Sequence, residues 1–311
     1  MFKPILKRLS RFYVRKSRFL LPRSQRDDAE KRLRGRIEKN RLAEANCVVV
    51  SPGNSGRTWL RVMLDGFDQA TQNRDTESAV DFDEPSRADP SIPKILFTHD
   101  SFLRFYTENP DSKADYYDKR VVLLVRHPAD VAVSRYFQWK HRAKPRKVRL
   151  LGLPDQREDL SLFDFVMDSS IGLEHILDFM RRWDREIPRC KDLIVLRYED
   201  LRQDPSAELE KFLDFMGASR LPEQIDAAVE YGSFENMKKR EAETGSSTGG
   251  VRVRPGDRDN KDSYKVRRGK VGGYRDYFDD AELDKIETLI AKDLPDRFGY
   301  AQQTVKDMPR K

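Results

Sequence analysis

The sequence predicts an α/β fold: a parallel sheet flanked by helices on both faces. Short apolar runs recur along the chain, helical patterns fill the intervals between them, and Gly- or Pro-bearing turns join run to helix. The runs lie at Cys47–Val50 and at residues 95–97, 121–125 and 193–196. They are short and apolar throughout, the pattern of strands buried on both faces. Helical spacing occupies residues 58–68, 129–142, 173–185, 207–216, 223–230 and 281–291, and a polar helix over 27–45 precedes the first strand. No internal repeat interrupts this rhythm.

Two segments depart from it. Residues 142–160 are basic around Pro145 and read as irregular, and residues 241–266 carry a Gly-Ser-rich run at 245–250. Long loops inside a compact domain are lids, rims or solvated linkers. Residues 1–26 hold nine lysines and arginines and no acid, with Phe2, Ile5, Leu6, Leu9, Phe12 and Tyr13 at helical spacing. This predicts a basic amphipathic helix over residues 1–23, suited to an anionic membrane surface or to docking on its own domain, the alternative being a loose basic tail. The expected organisation is a basic helical extension at 1–45, one domain at 46–300 and a tail at 301–311.

Bulk chemistry narrows the partners. The 311 residues are 36% charged and 38% hydrophobic, with a net charge of +7, which favours anionic ligands without choosing among them. Two cysteines make no disulfide framework and fit a reducing, cytoplasmic setting. Four histidines without metal-ligand spacing predict no metal, and no apolar stretch reaches the roughly 20 residues of a bilayer span.

The first strand runs into Ser51-Pro52-Gly53-Asn54-Ser55-Gly56-Arg57-Thr58-Trp59. A strand, a glycine turn and a helix start make an anion cradle, because backbone N–H groups and the helix dipole point at the ligand. Ser55 and Thr58 add hydroxyls and Arg57 a charge. The loop is not a Walker A sequence, since Gly56-Arg57-Thr58 stands where Gly-Lys-Ser/Thr is required. A phosphotransferase reading also lacks a clear Mg²⁺ carboxylate and ranks lower. The third strand ends in Arg126-His127-Pro128, with Ser134 eight residues beyond Arg126. An arginine leaving the C-terminal end of a parallel strand, with a serine on the next helix, suits a phosphate dianion.

These two stretches resemble the phosphosulfate loop and the 3′-phosphate motif of sulfotransferases dependent on 3′-phosphoadenosine 5′-phosphosulfate. The resemblance implies that Gly56, Arg57 and Thr58 surround the 5′-phosphate, that Trp59 stacks near the adenine, and that Arg126 and Ser134 take the 3′-phosphate. Three further segments are similar to that family: Tyr198-Glu199-Asp200-Leu201; Ser233-Phe234-Glu235-Asn236-Met237; and Arg267-Arg268-Gly269-Lys270. They imply an adenine pocket lined by Tyr198, Ser233, Phe234 and Met237, and closure over the 3′-phosphate by Arg267, Arg268 and Gly269.

Thr98-His99 matches the family segment that holds the general base, and Asp100 beside it is placed to orient or to cap. One departure stands out. The family's loop lysine falls on Asn54, which donates a hydrogen bond but carries no charge where the leaving oxygen becomes negative. Arg57 is the candidate to supply that charge. The expected reaction is sulfuryl transfer to a hydroxyl-bearing acceptor (glycan, lipid or small molecule), with no metal and no nucleic acid. The alternative is a nucleotide-binding homologue or membrane-attached scaffold without turnover. The basic segments at 142–160 and 241–266 are expected to rim the acceptor site.

Overall fold

The computed structural model describes residues 22–72, 93–107, 112–156, 159–243 and 255–300. The amphipathic stretch of residues 1–21, the Gly-Ser run at 245–250 and the tail at 301–311 lie outside the described residues.

Four strands, β1 (Cys47–Val50), β2 (Ile95–Thr98), β3 (Arg120–Val125) and β4 (Asp192–Arg197), pair in parallel in the order β2-β1-β3-β4. β1 is wholly buried because helices cover both of its faces. Alternate residues serve opposite cores. Val48, Val50, Val121, Leu123 and Val125 meet Leu173, Ile176 and Trp183 on one side. Cys47, Val49, Val122 and Leu124 meet Leu60, Met63 and Phe212 on the other. Each fully buried aliphatic side chain contributes roughly 1.5–3 kcal/mol, so the β-branched strand residues fix the register.

The helices are α1 (Arg23–Glu44), α2 (Arg57–Gln72), α3 (Pro128–His141), α4 (Pro145–Leu150), α5 (Leu162–Met167), α6 (Leu173–Glu186), α7 (Tyr198–Gln203), α8 (Pro205–Met216), α9 (Pro222–Tyr231), α10 (Phe234–Glu243) and α11 (Asp280–Asp293). Their limits follow local chemistry. Proline opens α3, α4, α8 and α9, where its missing N–H costs nothing. Asp204 caps α8 by accepting from the Ala207 N–H at 2.9 Å, and Gly217 ends it at φ 71°. Asp279 and Glu282 form a reciprocal capping box on α11.

The stretch at 142–160 is more ordered than expected. α4 forms there because Pro145 starts a turn whose Val148 and Leu150 are buried, Val148 in a satellite core with Trp139, Phe165 and Ile171. α4 is tied to α1 by Arg146, whose Nε donates to the buried Glu30 at 2.9 Å. Burial alone would raise the Glu30 carboxyl, but hydrogen bonds from Arg146 and Arg34 bring it below its ordinary value. α1 also packs on β2, where Glu38 accepts a hydrogen bond from the Thr98 hydroxyl. Among the described residues no helix is long and apolar enough to cross a membrane.

Because all strands run the same way, their C-terminal ends share one edge. That edge carries the 51–56 loop after β1, His99 after β2, Arg126 after β3 and Tyr198 after β4.

Candidate functional site

The strand ends open into a cavity of about 400 Å³. The loop after β1 bends through two left-handed residues, Asn54 at φ 70° and Gly56 at φ 91°. Asn tolerates that conformation better than lysine does. Gly56 is required there twice over. A Cβ on it would lie 2.6 Å from the Tyr198 ring, so the ring and the loop backbone are in close contact. α2 then begins at Arg57, and its first N–H groups have no partner within the helix.

Arg126 ties the segments together. One guanidinium nitrogen donates to the Asn54 carbonyl and to Ser134 Oγ, both at 3.3 Å, and the other reaches the Lys270 carbonyl at 3.3 Å. Its plane lies over the Tyr198 ring, 4.4 Å from the centroid. Its Nε is buried with no hydrogen-bond partner among the described residues, a donor that an anionic ligand would satisfy. Asp130 was not singled out from the sequence, yet it holds this corner. It sits 3.6 Å from Arg126 and accepts from the Gly272 and Tyr274 N–H groups at 2.9 Å each. Its position four residues after Arg126 was the only sequence signal. Glu199 was likewise passed over. It accepts from the His127 N–H at 2.9 Å and the Tyr300 hydroxyl at 2.6 Å, fixing the chain just beyond Arg126.

Most residues expected at the site line this one cavity: Asn54, Gly56, Arg57, Thr58, Trp59, His99, Arg126, Ser134, Tyr198, Phe234, Met237, Arg267, Arg268 and Gly269. Two do not. Ser55 is buried behind the loop, and its hydroxyl has no partner among the described residues. Ser233 stands at the start of α10, where its hydroxyl accepts from the Asn236 N–H at 3.3 Å, so it positions Phe234 and Met237 without facing the cavity. Trp59 donates its indole N–H to the Gly232 carbonyl at 2.8 Å and meets Tyr198 edge to face at 5.8 Å. Arg267 packs over Phe137 at 3.7 Å and bonds the Tyr277 hydroxyl, while Arg268 pairs with Asp276. Gly269, at φ 60°, lets the loop close on the Phe234 ring.

Among the described residues nine lysines and arginines and one carboxylate, Asp130, line the cavity, so its potential is positive. His99 lies in the middle of that field. Its Nδ1 is 2.9 Å from the Ser51 carbonyl, which must accept, so Nδ1 carries the proton and Nε2 has the lone pair. Nε2 faces Arg57 at 2.7 Å. Burial first, and then the Arg57 charge, hold the imidazole well below its ordinary pKa, and it is neutral at pH 7. Asp100 does not orient it. The Asp100 carboxylate turns away to Lys113 and to the Tyr116 hydroxyl, the latter at 2.9 Å. His127 is structural: it stacks on Tyr274 at 4.8 Å, and burial among arginines lowers it to about 3.

Comparison with known proteins finds relatives that span most of the chain. Sulfotransferase 2A1 of Mus musculus is 23% identical over 261 residues, covering 82% of this chain and 80% of the relative. Sulfotransferase 2A1 of Homo sapiens is 24% identical over 66% of this chain and 65% of its own, and the 3-beta-hydroxysteroid sulfotransferase of Cavia porcellus 26% over 65% and 63%. Among solved structures, mouse sulfotransferase SULT7A1 complexed with PAP superposes with a TM-score of 0.53 at 17% identity, covering 80% of this chain and 84% of that one, which speaks for the fold. The sulfotransferase domain family matches residues 45–299, the stretch that contains the four strands and the cavity lining among the described residues, and the chain belongs to that family.

Proposed function

We propose that the protein transfers the sulfuryl group of 3′-phosphoadenosine 5′-phosphosulfate to an acceptor hydroxyl. The observation that carries this reading is the junction at Arg126, where loop, helix serine and 267–270 segment meet over one cavity. The residues fit the nucleotide. The 54–58 loop and Arg57 take the 5′-phosphate, and Arg126, Ser134, Arg267, Arg268 and Gly269 take the 3′-phosphate. Trp59, Tyr198, Phe234 and Met237 wall the adenine, with Ser233 capping the start of α10. Adenosine 3′,5′-bisphosphate, the nucleotide left after transfer, fits the same contacts.

The co-substrate supplies a sulfuryl group already activated on a phosphate. In transfer, a bond forms from the acceptor oxygen to sulfur and the bond from sulfur to the phosphate oxygen breaks. The hydroxyl proton passes to Nε2 of His99, whose tautomer is set by Ser51. Arg57, freed from Nε2, offers its charge to the oxygens that become negative, the role Asn54 cannot fill. Residues 46–300 form the transferase unit of this reading. The basic residues 1–23 are its point of contact with an anionic membrane, at the inner face of a cytoplasmic compartment, which sedimentation with anionic vesicles tests.

Thermal-shift titration discriminates the reading from a kinase-like one. Adenosine 3′,5′-bisphosphate is expected to stabilise the protein at lower concentration than ATP, and a preference for ATP removes the assignment. A second reading, binding without turnover, is favoured by Asn54 and by the cation on Nε2. Failure of labelled sulfate to reach any hydroxyl acceptor, with nucleotide binding intact, selects it.

A further inference from the structure

The cavity holds more positive charge than a nucleotide claims. Its phosphate ends are met by Arg57 in the loop and by Arg126, Arg267 and Arg268 opposite. Lys147 of α4 and Arg142 at the end of α3 also line the cavity, and neither has a nucleotide segment around it. Lys147 keeps accessible surface and stands close enough to His99 to depress its protonation, together with Arg57. Lys147 is exposed at the cavity rim, and partial burial first, then the charges of Arg57, Arg142 and Arg135, hold its ammonium below the ordinary value. Among the described residues no carboxylate lies within ion-pair distance of Lys147, Arg142 or Arg135. The buried Arg142 Nε has no hydrogen-bond partner there. Glu241 acts on Arg142 from beyond ion-pair distance, and its two oxygens accept from the Lys265 and Val266 N–H groups at 2.6 and 2.7 Å.

Like charges gathered against one another without counter-ions raise the energy of the unliganded protein. The crowding is not an accident of a loose loop. α4 is held in place by Arg146 on Glu30 and by Val148 in the satellite core, which aims Lys147 at the cavity.

We infer that Lys147 and Arg142 form an anion subsite beside His99, and that the acceptor is an alcohol bearing its own phosphate, sulfate or carboxylate group. An acceptor anion held there discharges the crowding and delivers the hydroxyl toward Nε2. Selectivity follows from the same cations. A neutral acceptor leaves them unpaired, whereas an anionic one gains a charge-assisted contact. This rests on the sulfotransferase reading above.

The test saturates the full chain with adenosine 3′,5′-bisphosphate and then titrates methyl phosphate and methyl sulfate by calorimetry. Wild type is expected to bind one further anion. Lys147→Ala and Arg142→Ala should each weaken that second step about tenfold, and Lys147→Glu should abolish it, with nucleotide affinity changed less than about twofold in Lys147→Ala. Absence of the second step in wild type overturns the inference. So does a second step that Lys147→Ala and Lys147→Glu leave unchanged, which places the anion in the sulfuryl position. Failure of the bisphosphate itself to bind overturns the underlying reading instead. Labelled transfer to glucose 6-phosphate in solution, against phosphatidylinositol in vesicles, separates a free phosphate ester from a lipid head group as its source.

Discussion

The two ends of the cavity are built in opposite ways. At the Arg126 end every cation has partners: Arg126 touches Asn54, Ser134, Asp130 and Lys270, and Arg268 pairs with Asp276. At the Lys147 end, cations face one another with no carboxylate at ion-pair distance among the described residues, and only Glu241 acts on Arg142 from further off. The first is a preorganised socket anchored on strand ends. The second rests on a six-residue helix fixed to α1 by two ion pairs, Arg146 with Glu30 and Arg149 with Asp27, and held by a small apolar cluster. A preorganised donor set that keeps one buried N–H, Arg126 Nε, for the ligand holds a fixed anion, while a surplus of charge at a rim leaves room for variable ones.

The largest expected effect lies between the two ends. His99→Ala should lower transfer by roughly 10²–10⁴-fold with nucleotide affinity nearly intact, read by labelled-sulfate incorporation beside calorimetry. Retained transfer would mean another base. Next, Arg126→Ala removes the charge and the hub of the socket, and nucleotide affinity should fall about 100-fold. A loss under threefold would erase the contrast between socket and rim. Gly56→Ala places a methyl against Tyr198 in a left-handed backbone and should cost about 1–3 kcal/mol of stability in denaturant unfolding.

Acid should act through the buried histidines. His99 and His127 are held neutral below their unfolded pKa of about 6.5, so below that pH the unfolded chain binds more protons. Stability should therefore fall as pH drops below 6.5, by up to about 1.4 kcal/mol per pH unit for each, with the His127 contribution continuing to about 3. A flat profile between pH 6.5 and 5 would contradict the burial. The smallest effect belongs to the rim: Arg146→Ala leaves Glu30 with Arg34, costs about 0.5–1 kcal/mol, and should spare nucleotide affinity.

The same contrast explains what could be read from the sequence. Strands buried on both faces must be apolar runs, and parallel strands must deliver their next residues to one edge, so the 51–59 loop, His99, Arg126 and Tyr198 were legible. The partners that place them were not. The Ser51 carbonyl that sets the His99 tautomer is backbone and leaves no sequence mark. Asp100, adjacent to His99, looked like its orienter, but strand-end geometry turns it to Lys113 and Tyr116. α4 looked irregular because its order comes from Glu30, 116 residues away, and from Trp139 and Phe165.

Calorimetric titration of wild type and Ser134→Ala with adenosine 3′,5′-bisphosphate and with adenosine 5′-monophosphate tests the shared socket most directly. One bisphosphate should bind per chain, about tenfold more weakly to Ser134→Ala, while the monophosphate, which lacks the 3′ group, should not distinguish the two proteins. An equal loss for both ligands, or two bisphosphates per chain, would contradict a single nucleotide spanning the loop after β1 and the end of β3.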